Sequence, residues 1–199
     1  MSEEVPLRDQ ILNISRHILY KDGYKSLSMR KIARKAEVTA TSIYLYFENK
    51  DHLLHTLIEE SVEDLSTHIE EQALPKANTI DRFKAIIQSY VEFGMSNPEK
   101  YEIIYQVRSD AMARYPKEKF RKARRAYELL VKTIEEGVKE GLMEVDDPVL
   151  AAYSIWAQLH GVVSVVLNGR LDSRINKEQF VEESIEHVIQ GFLERAAVS

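Results

Sequence analysis

Apolar positions recur with a helical period along most of the chain, and no stretch alternates apolar and polar residues as a half-buried strand does. In residues 6–23, Ile11, Ile14, Ile18 and Leu19 form an inner stripe, Pro6 suits a first helical position and Gly23 a left-handed cap. Ser28 then caps a second helix whose inner face is Ile32, Ala33 and Ala36. Glu37 and Val38 make a tight connection, and Thr39 caps a third helix over residues 39–47. There Ile43 and Phe47, four apart, turn inward together, while Ala40, Thr41, Ser42, Tyr44 and Tyr46 lie elsewhere on the surface. A long helix starts from Asn49, and its stripe of Leu54, Ile58, Val62, Leu65 and Ile69 runs to about Ala73, roughly 35 Å at 1.5 Å per residue.

Residues 75–79 break this helix, and the pattern beyond them stays helical. Residues 81–95 turn Phe83, Ile86, Ile87 and Tyr90 inward, and Asn97-Pro98-Glu99 starts a helix holding Tyr101, Ile104 and Tyr105 that ends near Arg114. Pro116 opens a charged helix that stops around Gly137 to Gly141, Asp147-Pro148 starts another, and Asn176 with Gln179 makes a capping-box start for the last. The expectation is an all-α protein of about nine helices.

Residues 148–169 carry no formal charge, the length of a membrane span. Ser154, Gln158, His160, Ser164 and Asn168 interrupt that run, and Gly161 and Gly169 weaken it as an isolated helix. A helix buried on most sides in a protein interface fits better than a membrane segment. Ala157, Gly161 and Ser164 would let a partner helix approach, and the last helix offers Val181, Ile185, Val188, Ile189 and Phe192. Two such helices per subunit would form a four-helix dimer interface.

Composition alters this picture only slightly. The 199 residues are 44% hydrophobic and 30% charged, a globular balance, and the absence of cysteine excludes disulfides and thiolate chemistry. The opening MSEEVPLRDQ lacks the basic-then-apolar pattern of a signal peptide, which with the missing cysteines suits a cytoplasmic protein. The net charge of −5 divides unevenly: residues 1–50 hold 9 Lys/Arg against 6 Asp/Glu, the remaining 149 hold 18 against 26. A basic head on an acidic body suits a head that meets nucleic acid.

The second and third helices with their short turn have the form of a helix-turn-helix, and equally of two core helices with solvated polar faces. In the first reading, small hydroxyls and methyls at the front of the third helix can meet base edges, while Tyr44, Lys50, Arg30 and Lys31 reach phosphates. The ordered run ILNISRHILYKDGY, SMRKIARKAEV, TSIYLYFENKDHLL resembles the DNA-binding domain of the TetR family of bacterial transcription regulators, over about a quarter of the chain. Glu37 departs from it, standing where that family most often has glycine at a left-handed position.

The resemblance implies a helix-turn-helix DNA-binding domain over residues 1–50 and a helical effector-binding and dimerisation domain over residues 51–199. It implies a homodimer, joined through the last two helices, that binds a palindromic double-stranded DNA operator. A repressor released by a small-molecule effector is the expected form. Matched by position, Thr39, Ala40, Thr41 and Ser42 are the candidates for base edges; Ser28, Arg30, Tyr44, Tyr46 and Lys50 are those for phosphates or the groove wall. Trp156 with His160-Gly161, in IWAQLHGVVS, is similar to the Trp…His-Gly signature of one C-terminal subclass of that family.

Other chemistry finds little support. There is no phosphate-binding glycine loop, no HExxH and no nucleophile elbow, so no enzyme and no cofactor are expected. His52, His55 and Glu59 share a helix face and imitate a metal site, though such pairs are usually solvated. Aromatics over residues 79–141 (Phe83, Tyr90, Phe93, Tyr101, Tyr105, Met112 beside them, Phe120) could line a small-molecule cavity with Gln106, Arg108 or His160 orienting the ligand. Tyr90, Tyr101, Tyr105, Trp156 and His160 are the ligand candidates, and plain core packing is the competing account. A helical ligand-binding or interaction module without sequence-specific DNA binding is the alternative function.

Overall fold

The computed structural model describes residues 5–106 and 124–193. The described residues form nine α-helices and no strand: α1 Leu7–Asp22, α2 Met29–Lys35, α3 Ala40–Tyr44, α4 Lys50–Ala73, α5 Thr79–Ser96, α6 Pro98–Gln106, α7 Arg125–Lys139, α8 Pro148–Leu167 and α9 Lys177–Leu193. A 3-10 turn, Tyr24–Ser26, links α1 to α2. The predicted helix from Pro116 begins outside the described residues, as do Arg108, Met112 and Phe120.

The chain divides into two compact units, residues 1–63 with 97–122 and residues 64–96 with 123–199, the division falling within α4. In the first, α1 packs on α2 and α6, and α2 on α3. Its core closes on Ile11, Leu12, Ile18, Ile32, Ile43, Phe47, Leu53, Leu54, Leu57 and Ile103, all at most 2% exposed. Ile103 comes from α6, which lies within residues 51–199, the stretch that the resemblance gives to the helical domain. In the second unit α5 meets α7, α8 and α9, and α8 packs on α7 and α9 around Phe83, Ile87, Ile134, Ala152, Ile155 and Val163.

Most helix starts follow the side-chain chemistry of the sequence. Ser28 Oγ accepts from Lys31 N at 3.2 Å, Asn49 Oδ1 from His52 N at 2.8 Å, and Asp147 Oδ1 from Val149 and Leu150 N at 2.9 and 3.0 Å. Asn176 Oδ1 likewise caps α9 through Gln179 N at 2.8 Å, but the Gln179 amide reaches forward to Glu183 instead of back, so the capping box is half formed. Two expectations shift. Pro6 is the N-cap of α1, one position before the helix, and α3 ends at Tyr44, with Leu45 as its cap, instead of running to Phe47. Phe47 N still donates to Ile43 O at 3.1 Å, so one further turn keeps both side chains inward.

The turn between α2 and α3 is a six-residue closure: Val38 N donates to Ala33 O at 3.0 Å and Glu37 N to Arg34 O at 3.4 Å. That geometry sets Glu37 at φ 56, the left-handed backbone expected there, and it is the only non-glycine with positive φ among the described residues. Glu37→Gly is expected to stabilise the protein by about 0.5–1 kcal/mol, the left-handed strain relieved less the entropy glycine adds to the unfolded chain. Equilibrium denaturation measures it, and a loss of stability would show that the glutamate side chain contributes more than its backbone costs.

Candidate nucleic-acid interface

The α2–α3 pair is built to hold α3 against the core by one edge. Ile43 and Phe47 are 0% and 2% exposed, Ala40 is half-buried, and Thr41, Tyr44, Leu45 and Tyr46 face outward. Thr39 caps α3: its Oγ1 accepts from Ser42 N at 3.2 Å and lies 2.9 Å from Ser42 Oγ. Thr39 and Ser42 therefore share their hydroxyls with the turn, and Ser28 gives its own to α2. Of the four base-edge candidates, Thr41 is the one whose exposed hydroxyl has no hydrogen bond among the described residues. Thr39→Ala is expected to lower stability by about 1 kcal/mol through loss of the cap, with Thr39→Ser restoring it. Chemical denaturation of the two variants checks this, and equal stability would show that Ser42 alone holds the turn.

The cations around α3 differ in readiness. Arg30 is exposed. Lys31 Nζ is held by Asp22 Oδ2 at 2.8 Å, which keeps the Asp22 carboxyl below the usual carboxylate range. Lys50 Nζ donates to the Tyr24 carbonyl at 2.8 Å and sits 3.7 Å from the centre of the Tyr24 ring. Burial there pushes the Lys50 ammonium's pKa down, and burial with nearby Asp51 raises that of the Tyr24 hydroxyl, which donates to Asp51 Oδ1 at 3.4 Å. Tyr24, 26 residues before Lys50, was invisible as its holder in the sequence, since no helical period links the two positions.

The aromatic candidates fall into separate groups. Tyr101 and Tyr105 pair in the first unit with ring centres 4.7 Å apart. In the second unit, Tyr90 is buried in α5, and along α8 Tyr153, Trp156 and His160 follow at 5.2 and 5.4 Å, the last two rings stacked at 17°. His160 is half-buried, and desolvation lowers its pKa. The unfolded chain then binds the extra proton first, so this group's contribution to stability is present above about pH 6.5 and is lost as pH falls below it. His160→Gln is expected to flatten the acid side of the stability–pH profile between pH 5 and 7; an unchanged slope would assign it to other groups. His52 Nδ1 accepts from Glu48 N at 3.3 Å, and no group of three His, Asp or Glu able to hold a metal occurs among the described residues.

In the described chain α8 is buried along one side only, through Ala151, Ala152, Ile155, Leu159, Val162 and Val163. On the other side Tyr153, Ser154, Ala157, Gln158 and Gly161 are exposed, and a Cβ on Gly161 would meet nothing within 4 Å, so the face expected to meet a partner helix is uncovered by the described residues. By length and composition α8 could cross a membrane, yet it packs on α5, α7 and α9.

A short helix pair presenting its second member, joined to a helical body, is the architecture of a helix-turn-helix regulator. Residues 11–57 match the family described as bacterial regulatory proteins, tetR family, and residues 83–192 match the tetracyclin repressor-like C-terminal domain. The chain belongs to the TetR family of transcription regulators. The fatty acid metabolism regulator protein of Bacillus subtilis (strain 168) is 29% identical over 90 residues, 45% of this chain and 46% of that protein. The HTH-type transcriptional repressor KstR of Mycolicibacterium smegmatis is 28% identical over 91 residues, 46% and 45% of the two chains. The matches thus span about half the length of these curated relatives. A Rhodococcus sp. RHA1 protein of unknown function superposes with a TM-score of 0.79 at 23% identity, covering 96% of this chain and 98% of that one. The fatty acid degradation regulator FadR from Bacillus halodurans does so at 0.74 and 22%, covering 94% and 97%. These two likenesses establish the fold.

Proposed function

We propose that this protein is a cytoplasmic, homodimeric repressor that a small-molecule effector releases from a palindromic operator. The observation that carries the reading is α3 itself: Ile43 and Phe47 anchor it, and Thr41, Tyr44 and Tyr46 stand outward beside Arg30. Each subunit sets α3 in a major groove, with Thr41 at a base edge and Ala40 offering a methyl contact. Thr39 and Ser42 shape the turn and can still accept or share a bond with a base. Ser28, Arg30, Tyr44, Tyr46 and Lys50 hold phosphates or the groove wall.

The subunits join through α8 and α9. Supporting this are the exposed small residues of α8 and the incomplete burial of Val181, Ile185 and Phe192 on α9. The stacking of Trp156 on His160 supports the Trp…His-Gly subclass reading, in which effector recognition falls to the helical body with Tyr90. The effector acts by binding better to a dimer whose reading heads no longer fit the half-sites. A hundredfold release corresponds to about 2.7 kcal/mol of coupling.

Selection from a random duplex pool at physiological salt tests this reading. An enriched inverted repeat is the expected result. Retention of all duplexes alike, with folded and effector-free protein, would favour a helical ligand-binding module that does not read sequence.

A further inference from the structure

Leu45 is 80% exposed, the highest of the exposed large hydrophobics among the described residues, and it sits between Tyr44 at 52% and Tyr46 at 43%. Scattered exposed leucines need no explanation, but three consecutive exposed apolar side chains at one end of a reading helix do. Leu45 gains almost no burial from the fold, so protein stability does not account for it. Its backbone is still helical, at φ −67 and ψ −25, with Leu45 N donating to Thr41 O at 3.3 Å. The side chain therefore lies one turn beyond Thr41, four positions on, along the same face.

A leucine forms no hydrogen bond, and the major groove carries one feature that suits it: the C5 methyl of thymine. Thr39 and Ser42 share their hydroxyls with the turn, so the outward reading surface of α3 is Thr41 followed by Leu45. We propose that Leu45 reads a thymine methyl in each half-site, making apolar contact a determinant of operator sequence. This rests on the operator-binding reading above. On that basis Tyr44 and Tyr46, on either side, have hydroxyls to reach the backbones that border the groove, while Leu45 points to its floor.

The test replaces each thymine of the selected operator, one at a time, with deoxyuridine, which removes the methyl and leaves every hydrogen-bonding group in place. One position per half-site is expected to weaken the full-length protein by about fourfold, the effect of one buried methyl-sized group. Leu45→Ala should bind the thymine operator more weakly by a similar factor per half-site, bind random duplex unchanged, and show no further loss on the uracil operator. Its exposure means that the variant folds as the parent does, and helix content by circular dichroism confirms it. A methyl-sensitive position that stays sensitive in Leu45→Ala overturns the assignment, as does an operator in which no thymine methyl matters. Failure of the pool to enrich any motif overturns the operator reading and this inference together.

Discussion

Phe47→Ala is expected to destabilise the first unit by about 3–5 kcal/mol, the range for removing a buried phenyl ring that neighbours cannot replace. Phe47 is 2% exposed and ends the turn that follows α3, with the His52 ring edge-on at 5.8 Å and the Arg8 guanidinium 6.0 Å from its centre. Ile43, Leu53, Leu54 and Leu57, from α3 and α4, belong to the same core cluster. Because α3 has only five residues, it cannot form unaided, and its position derives from Ile43 and Phe47. A cavity there loosens the reading helix before it loosens the second unit, whose core around Phe83 and Ile134 is separate.

The effect should appear as an early unfolding step in denaturant and as faster hydrogen exchange across α3 and the first turns of α4. Operator affinity should fall with it. Tyr46→Ala, one residue away but 43% exposed, should change stability by less than about 0.5 kcal/mol. A loss below about 1 kcal/mol for Phe47→Ala would mean that the neighbouring leucines close the gap, and that α3 is held by something other than this ring.

The elements were legible in the sequence because their signals are local. Period-four stripes and short polar caps located the helices, and Glu37 stood at the position that takes a left-handed backbone. What local pattern leaves open is set by tertiary contact. Ile103 joins the first unit's core through α6, and nothing in the pattern of residues 98–106 says which body that helix serves. The exposed side of α8 is uncharged and keeps Tyr153 and Ala157 beside Ser154 and Gln158, so residue type marks it less sharply than a charged face would. At the candidate interface, residue type alone suggested that Thr39 and Ser42 were as available as Thr41, and the cap geometry separates them. Leu45 carries neither hydroxyl nor charge, so only its exposure and its spacing of four from Thr41 single it out.

Lys50→Gln is the second large effect, and it should appear in binding with little change in stability. The Lys50 ammonium has three donors, and one is committed to the Tyr24 carbonyl at 2.8 Å while the ring lies below. The others can point to a phosphate, so the tyrosine fixes a cation that would otherwise wander. Losing the lysine does not strand the carbonyl, because Leu27 N also donates to it at 3.2 Å. In a dimer the substitution removes two phosphate contacts, each contributing about 0.9 to the slope of log K against log salt. The slope should fall by about two, and affinity by about thirtyfold at 0.15 M salt, on operator and random duplex alike. Fluorescence anisotropy across a salt series measures both. A loss confined to the operator would place Lys50 at a base edge. An unchanged slope would mean that Nζ stays on Tyr24 in the complex, and that Lys50 serves the start of α4 instead of the DNA.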